Sequence, residues 1–298
     1  MRAERHTLAK DLFIQRTLLC RGDTPVGRER QCRAGLAAAP ARCACHMEEP
    51  MSRLNLAENF NRFFRIAPAL SAADQEKVFF IRHDVYAREL GFEPVRPDQR
   101  ETDAYDARAA HCLLRTAEAS PRLVGCARVV FADPQDPQAL LPFEKACRDS
   151  LFRDQIDPSR LPRDRIAEVS RLAVLSDFRR RRGEAHKAVA LDVQDFGDAQ
   201  QPRFPYIPVS LYLAAVLLAQ RRQVEYLFTL TEPRLAEHFA KLGVEVTQIG
   251  APIEHRGTRV PSVIRVATVE TRLRLMIQPL WKAIDSQMAQ QYAQESAS

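Results

Sequence analysis

Ile166 to Leu175 (IAEVSRLAVL) is the most strand-like stretch of the chain. Ser176, Asp177 and Phe178 lead from it directly into four arginines, Arg179 to Arg182, and then Gly183. The pattern from Glu184 to Phe196 predicts a helix. A strand, a basic glycine-bearing turn and a helix, in that order, call for a sheet with helices packed on it. The rest of the chain fits. A helix is expected over 71–90, with Ser71 as N-cap and Gly91 as its stop. His111–Ala117 and Leu123–Phe131 read as a hairpin around Ser120-Pro121. A short helix follows at Phe143–Phe152. Later come a helix from Val209 to Arg222 behind Pro208, a strand at Val224–Leu230, and a helix from Glu232 to Leu242 closed by Gly243. Strands at Val244–Ile249 and Val260–Thr268 and a helical tail from Thr271 complete the order. This is a mixed α/β (α+β) sandwich, without the strict strand–helix alternation of a doubly wound sheet.

Composition removes several function classes. The chain has 298 residues, 46% hydrophobic and 28% charged, enough for a sizeable core. Its longest apolar run, Val209 to Ala219, is eleven residues, where a spanning helix needs about 20. The net charge of +6 is concentrated at one end. Residues 1–46 hold nine Lys+Arg and four Asp+Glu, whereas the remainder holds 35 and 34. A folded part so nearly neutral argues against a nucleic-acid partner. Residues 1–46 also carry four of the seven cysteines and no sustained period, and no secretory signal is recognisable there. We therefore expect residues 1–50 to be an extension, disordered or translated from upstream of the working start. Residues 51–290 are expected to form a single domain, with 291–298 a frayed tail. Cys112, Cys126 and Cys147 sit singly among apolar residues, as small core hydrophobes of a reducing, cytoplasmic compartment would. Cys43-Ala-Cys45-His46 has no second ligand pair at zinc spacing, and His83, His111, His186, His238 and His255 are scattered, so no metal site is expected.

The turn after the strand has a mechanism. A glycine at a helix start lets backbone N–H groups approach an anion, and the helix dipole favours negative charge there. Arg180-Arg-Arg-Gly183-Glu-Ala185 has the R-x-x-G-x-A form and resembles the pyrophosphate loop of GNAT-type N-acyltransferases. A Walker-type loop is excluded, because no G-x-x-x-x-G-K-[ST] occurs. A solvated basic turn is the plainer alternative.

A second set of residues is more specific. Arg82, Tyr86 and Phe92 are followed by Glu101, Asp103 and Asp106 in ETDAYD, then by Gly125-Cys-Ala-Arg128, then by Glu168-Val-Ser-Arg171-Leu-Ala-Val174. These four motifs, in this order and spacing, resemble the autoinducer synthases that make acyl-homoserine lactones. Those enzymes usually carry Phe where Tyr86 stands and Trp where Phe92 stands, in the region that handles the S-adenosylmethionine acceptor. The C-terminal half, with Glu232-Pro233, Leu242-Gly243 and the stretch from Ile249 to Pro261, is more similar to long-chain N-acyl amino acid synthases. It is most similar to the acyltransferases associated with the PEP-CTERM/exosortase sorting system. The resemblance implies a three-layer GNAT (acyl-CoA N-acyltransferase) fold with a mixed, mostly antiparallel central sheet. It implies an acyl carrier protein thioester as donor, with acyl-CoA as the alternative, a small amine acceptor, and no tightly bound cofactor. Leu172, Val174, Arg179, Arg180, Gly183 and Ala185 would then serve the donor, and Tyr86 and Phe92 the acceptor.

Aminolysis of a thioester needs a deprotonated amine. α-Amino groups have a pKa near 8 and lysine-like amines about 10.4, so a carboxylate base helps. Glu168 is the first candidate and Glu101 the second. The resemblance implies that donors to the tetrahedral oxyanion are backbone N–H groups at a bulge in the strand holding Arg171 to Leu175. Glu168 and Arg171 are three apart and would face opposite ways on a regular strand. A β-bulge between Glu168 and Leu175 is therefore predicted. Arg82, Asp103, Asp106, Arg128 and Arg171 form a charged cluster. It either holds the acceptor or pins the 93–106 segment to the sheet. Arg179 to Arg182 would also suit docking of an acidic carrier protein. The Leu211–Leu218 stripe is either core or the lining of an acyl tunnel. The reading is a bacterial cytoplasmic N-acyltransferase. The alternatives are an acyl-homoserine-lactone synthase using S-adenosylmethionine and an inert acyl-thioester-binding regulatory protein.

Overall fold

The computed structural model describes residues 55–179 and 204–297, which fall in one unit, Met51–Ser298. The predicted helix of 184–196 and Arg180, Gly183 and Ala185 lie outside the described residues. The described elements are α1 (Leu56–Phe63), β1 (Phe64–Pro68), α2 (Ala72–Arg82), β2 (Ala109–Thr116), β3 (Leu123–Phe131), α3 (Pro142–Ala146) and β4 (Ile166–Val174). After them come α4 (Tyr206–Arg221), β5 (Tyr226–Thr231), α5 (Pro233–Lys241), β6 (Thr247–Gln248), β7 (Ile253–Glu254), β8 (Thr258–Arg265), α6 (Val266–Arg272) and α7 (Gln278–Ala297). The sheet runs β1-β2-β3-β4-β5-β8-β6, with β7 added on β8. Among the described residues only β4 and β5 pair in parallel; the other strand pairs are antiparallel. The expected mixed, mostly antiparallel sheet is therefore present.

Helix α4 accounts for the longest apolar run. Every residue from Pro208 to Ala219 is buried, as expected of a helix surrounded on all sides rather than amphipathic. It lies across β2, β3 and β4, with α7 beside it. One core joins it to Val129, Ala167, Trp281 and Ile284. A second core, with Val78, Ile81, Val85 and Leu113, gathers around α2. The stripe of α4 is thus mainly core. No described helix is long and apolar enough to cross a membrane.

Several boundaries differ from expectation, each for a local reason. Ser71 does cap α2, its hydroxyl accepting from Asp74 N–H at 3.1 Å, and Gly91 closes the segment at φ +63°. Between them the helix widens into a π-helix over His83–Glu89, and no sequence period reports that change. The edge strand β1 and helix α1 were not anticipated; β1 has only five residues and pairs with β2. The Val244–Ile249 strand is reduced to the two residues of β6. The C-terminal helix α7 runs to Ala297 and buries Leu280, Trp281, Ile284 and Met288. Gln287 bridges it to the first strand, accepting from Ile66 N–H at 2.8 Å.

Gly125, in the Gly-Cys-x-Arg motif, has a packing explanation. A Cβ there would lie 2.5 Å from the Ala173 carbonyl oxygen on β4 and 3.0 Å from Leu211 Cδ1 on α4. The glycine lets β3, β4 and α4 close together beside the irregular part of β4. Gly125→Ala is expected to destabilise the protein by about 1–3 kcal/mol, as overpacking does, measured as a lower urea midpoint at unchanged slope.

Candidate active site

The site begins with a fault in β4. Cys126 pairs with Ala173 and Arg128 with Ser170, so Arg171 and Leu172 together oppose Ala127. This is the predicted β-bulge, and Arg171 takes φ +50° to make it. A left-handed arginine costs on the order of 1–3 kcal/mol, so its surroundings must hold it there. Tyr86, on the π-helix, donates its hydroxyl to the Leu172 carbonyl at 3.0 Å. The Arg171 guanidinium lies over the Tyr86 ring at 5.4 Å. The phenol is buried and pushed up to about 12 by desolvation, so it stays protonated and donating.

The bulge also parts two strands. β4 and β5 pair from Ile166–Tyr226 to Val169–Thr229 and no further. Beyond that point a cavity of about 210 Å³ opens between them. Ser170, Arg171 and Leu172 form one wall, and Leu230, Thr231 and Glu232 the other. Tyr86 and Phe92 close one side, while Tyr212 of α4 and Phe143 of α3 also line it. Glu168 and Arg171 share this cavity, as the bulge permits.

Glu168 is 3% exposed. Burial pushes its carboxyl up to about 8, against the pull of the Phe143 N–H and of Arg128 and Arg171. That N–H, at the start of α3, donates to Oε2 at 2.7 Å. The α3 loop is itself clamped. Glu144 accepts from Leu141 N–H at 2.7 Å and takes a two-point ion pair from Arg163, at 2.9 and 3.0 Å.

Behind the bulge lies a buried charge network. Arg82 is fully buried and grips Asp106 with two bonds, at 2.7 and 3.1 Å, and Glu101 with a third. Arg128, 1% exposed, reaches Asp103 at 2.7 Å, Asp106 at 2.9 Å and the Ser170 hydroxyl at 3.2 Å. Arg171 contacts Glu101, Glu93 and Asp103 at 3.2, 3.1 and 3.4 Å. Burial alone would raise the carboxyl pKa values of Asp106 and Glu101. The Arg82 bonds outweigh it and hold Asp106 far below the usual carboxylate range and Glu101 below its ordinary value. His111, opposite Arg128 across β2–β3, is pushed down to about 4 by burial and by Arg82, and stays neutral.

Residues 81–187 match the acetyltransferase (GNAT) domain. No curated protein matches the sequence. Solved structures with a similar chain path include TofI in a ternary complex with an inhibitor and MTA (19% identity, 74% of this chain and 96% of that one, TM-score 0.47). Another is BjaI, a CoA-dependent acyl-homoserine lactone synthase, with SAM and isopentyl-CoA (20%, 74% and 89%, 0.47). A third is FeeM, an N-acyl amino acid synthase from uncultured soil microbes (16%, 71% and 96%, 0.45). The match of residues 81–187 assigns a GNAT domain there, and the sheet is the mixed, mostly antiparallel one expected of it.

Within this GNAT domain the sequence candidates separate into two groups. Tyr86, Phe92, Arg128, Glu168, Arg171 and Leu172 line the cavity. Arg82, Glu101, Asp103 and Asp106 are not among its walls; they form the network behind. Glu101, expected as the second base, is instead a carboxylate held between two guanidiniums. Val174, expected at the donor, is buried in the main core. Arg179 is ion-paired with Glu89 at the end of the π-helix. Arg180, Gly183 and Ala185 lie outside the described residues, so the anion loop is not part of this geometry. No group of three or more metal-ligating side chains occurs among the described residues. The sequence assigns no role to Glu93, Phe143, Thr229, Arg256 or Arg259, whereas Tyr212 belongs to the Leu211–Leu218 stripe read as core or tunnel lining. The stretch from Ile249 to Pro261 enters the sequence reading only through its family resemblance, and nothing in the sequence shows that Arg256 folds back onto Phe92.

Removing the central guanidinium should expose the network's dual role. Arg128→Met leaves Asp103 and Asp106 facing one fewer buried partner. It is expected to cost about 3–5 kcal/mol of stability, read as a fall in urea midpoint, together with a loss of turnover.

Proposed function

We propose that the protein is an N-acyltransferase. It would move a fatty acyl group from a phosphopantetheine thioester on acyl carrier protein to the amine of an amino acid or a similar acceptor. Acyl-CoA would serve as the alternative donor, and the thioester is substrate rather than resident cofactor. The observation that carries the reading is Glu168, a buried carboxyl with a pKa of about 8 in the wall of a cavity opened by a strand bulge. A base whose pKa lies near the working pH combines a usable ionised fraction with real proton affinity. The similarity of the C-terminal half to PEP-CTERM/exosortase-associated acyltransferases supports the same class.

The chemistry balances without a protein nucleophile. The neutral amine nitrogen attacks the thioester carbonyl carbon, forming the C–N bond. One amine proton passes to the Glu168 carboxylate, and the oxyanion is held by N–H groups at the Arg171–Leu172 bulge. The intermediate collapses, the C–S bond breaks, and the departing sulfur takes the proton back from Glu168. Amide and free thiol leave, and Glu168 returns to its starting state. In this scheme Glu101 and Arg82 are positioning residues that act through Arg171, whereas Arg128 lines the cavity itself and also bonds the Ser170 hydroxyl.

The test is a product screen by mass spectrometry, with the full chain, long-chain acyl carrier protein, pooled amino acids and S-adenosylmethionine. An N-acyl amino acid is the expected product. A homoserine lactone would replace the acceptor assignment, and an intact thioester with every amine would overturn the reading.

Glu168→Gln is expected to lower kcat by about 10²–10⁴, the usual worth of a general base. The wild-type kcat/KM should rise with pH through about 8, and the variant should keep only the limb belonging to the amine. Stability has the opposite sign. A carboxyl whose folded pKa is raised favours the protonated native state, so its contribution is lost as pH rises from about 4.3, the ordinary Glu value, to about 8. Glu168→Gln should therefore melt with wild type at about pH 4 and above it at pH 8, by differential scanning calorimetry.

A further inference from the structure

We propose that the acceptor is bound through an α-carboxylate held by Arg256. This rests on the acyl-transfer reading above and names its acceptor class. Arg256 sits at the tip of the β7–β8 hairpin, where it and Gly257 take φ +55° and +93°. The tip is fixed: Gly257 N–H donates to Glu254 at 2.9 Å, and the Arg256 carbonyl accepts from Arg259 Nη2 at 3.1 Å. The guanidinium lies over the Phe92 ring at 5.6 Å and lines the cavity.

Its charge is only half answered. The ion-pair partner of Arg256 among the described residues is Glu93, at 2.5 Å through Oε1. That same oxygen is contacted by Arg171 at 3.1 Å. Arg171 has Glu101 and Asp103 as well. Arg256 shares a single carboxylate oxygen and engages one of its nitrogens, leaving its remaining N–H groups for a planar anion. Of the other arginines in the cavity wall, Arg128 and Arg171 are matched by the carboxylates of the network behind, and Arg259 pairs with Glu232 at 2.7 Å. Arg256, which shares its carboxylate oxygen with Arg171, therefore favours an anionic acceptor over a neutral or cationic one. Arg256 is placed to select it because its guanidinium lies over Phe92 in the cavity wall. A phosphate of the donor's pantetheine arm has the same chemistry, so the experiment separates donor from acceptor.

The experiment compares amino acids with their α-carboxamides as acceptors, using the full chain and its Arg256→Gln and Arg256→Lys variants. A charge-assisted hydrogen-bonded contact is worth about 1.5–3 kcal/mol, or roughly ten- to 150-fold in affinity. Wild type is expected to show a KM for the acid lower than for the amide by that factor. Arg256→Gln should raise the KM for the acid by the same factor, with little change for the amide or the acyl carrier donor. Arg256→Lys should restore part of the difference. Equal KM values for acid and amide in wild type would overturn the proposal. So would a rise in donor KM alone, which would mark Arg256 as a phosphate ligand. If wild type forms no amide at all, the acyl-transfer reading fails. Calorimetric titration of the amino acid and its amide then decides on Arg256 alone: selective binding of the acid, lost in Arg256→Gln, sustains the anion site, and its absence removes it. The hairpin tip is partly exposed, so the variants should melt with wild type.

Discussion

The buried pairing of Arg82 with Asp106 and Glu101 is the constraint on which the site depends. A guanidinium with no exposure to water must be matched by carboxylates, and both carboxylates come from the otherwise irregular 93–108 segment. Matching Arg82 therefore draws that segment onto the sheet. Asp106 then meets Arg128, and Glu101 meets Arg171, so one ion pair propagates into a network that spans α2, β3 and β4. The network adds little net stability for its size, because desolvation opposes the attraction. What it supplies is register: each charge has few places where it can go.

The same network allows Arg171 its unfavourable backbone. A residue held in the left-handed region persists only where its neighbours over-determine it. Here three carboxylates fix the side chain, and the Tyr86 hydroxyl fixes the next carbonyl. The bulge that results does two things at once. It turns Glu168 and Arg171 into one cavity, and it ends the β4–β5 pairing so that the cavity exists. Tyr86 is thus more than an aromatic surface; with phenylalanine the bulge would lose that hydrogen bond.

Much of this was legible in the sequence because it is carried by local pattern. Ser71, Gly91 and Gly243 mark helix ends by backbone chemistry, and α4 is visible as an apolar run broken only by Ser210. The three-residue spacing of Glu168 and Arg171 calls for a bulge once the resemblance assigns both to one site, since alternation alone puts them on opposite faces. What was illegible depends on contacts distant in sequence. Glu101 has the residue type of a base, and only its two arginine neighbours show that it is a fixed anion. Val174 continues the apolar pattern of β4 beyond the bulge, and its face is decided by a register shift that sequence alone does not place. Arg256 lies 163 residues from Glu93, with no local signal linking them. The π-helix is hidden for a different reason: one extra residue per turn leaves composition unchanged.

The clamp on α3 has a consequence for the chemistry of Glu168. Its oxygen accepts an N–H from a helix of five residues, and that helix is held down by Glu144 and Arg163. The proton affinity of the carboxyl is therefore a function of where a surface loop sits. With the loop seated, the N–H favours the ionised form while the dry surroundings favour the neutral one. A loop lifted from the site withdraws the first influence and admits water against the second. Any molecule that presses on the 132–165 connection thus acts on a proton some distance away, without touching the carboxyl that carries it.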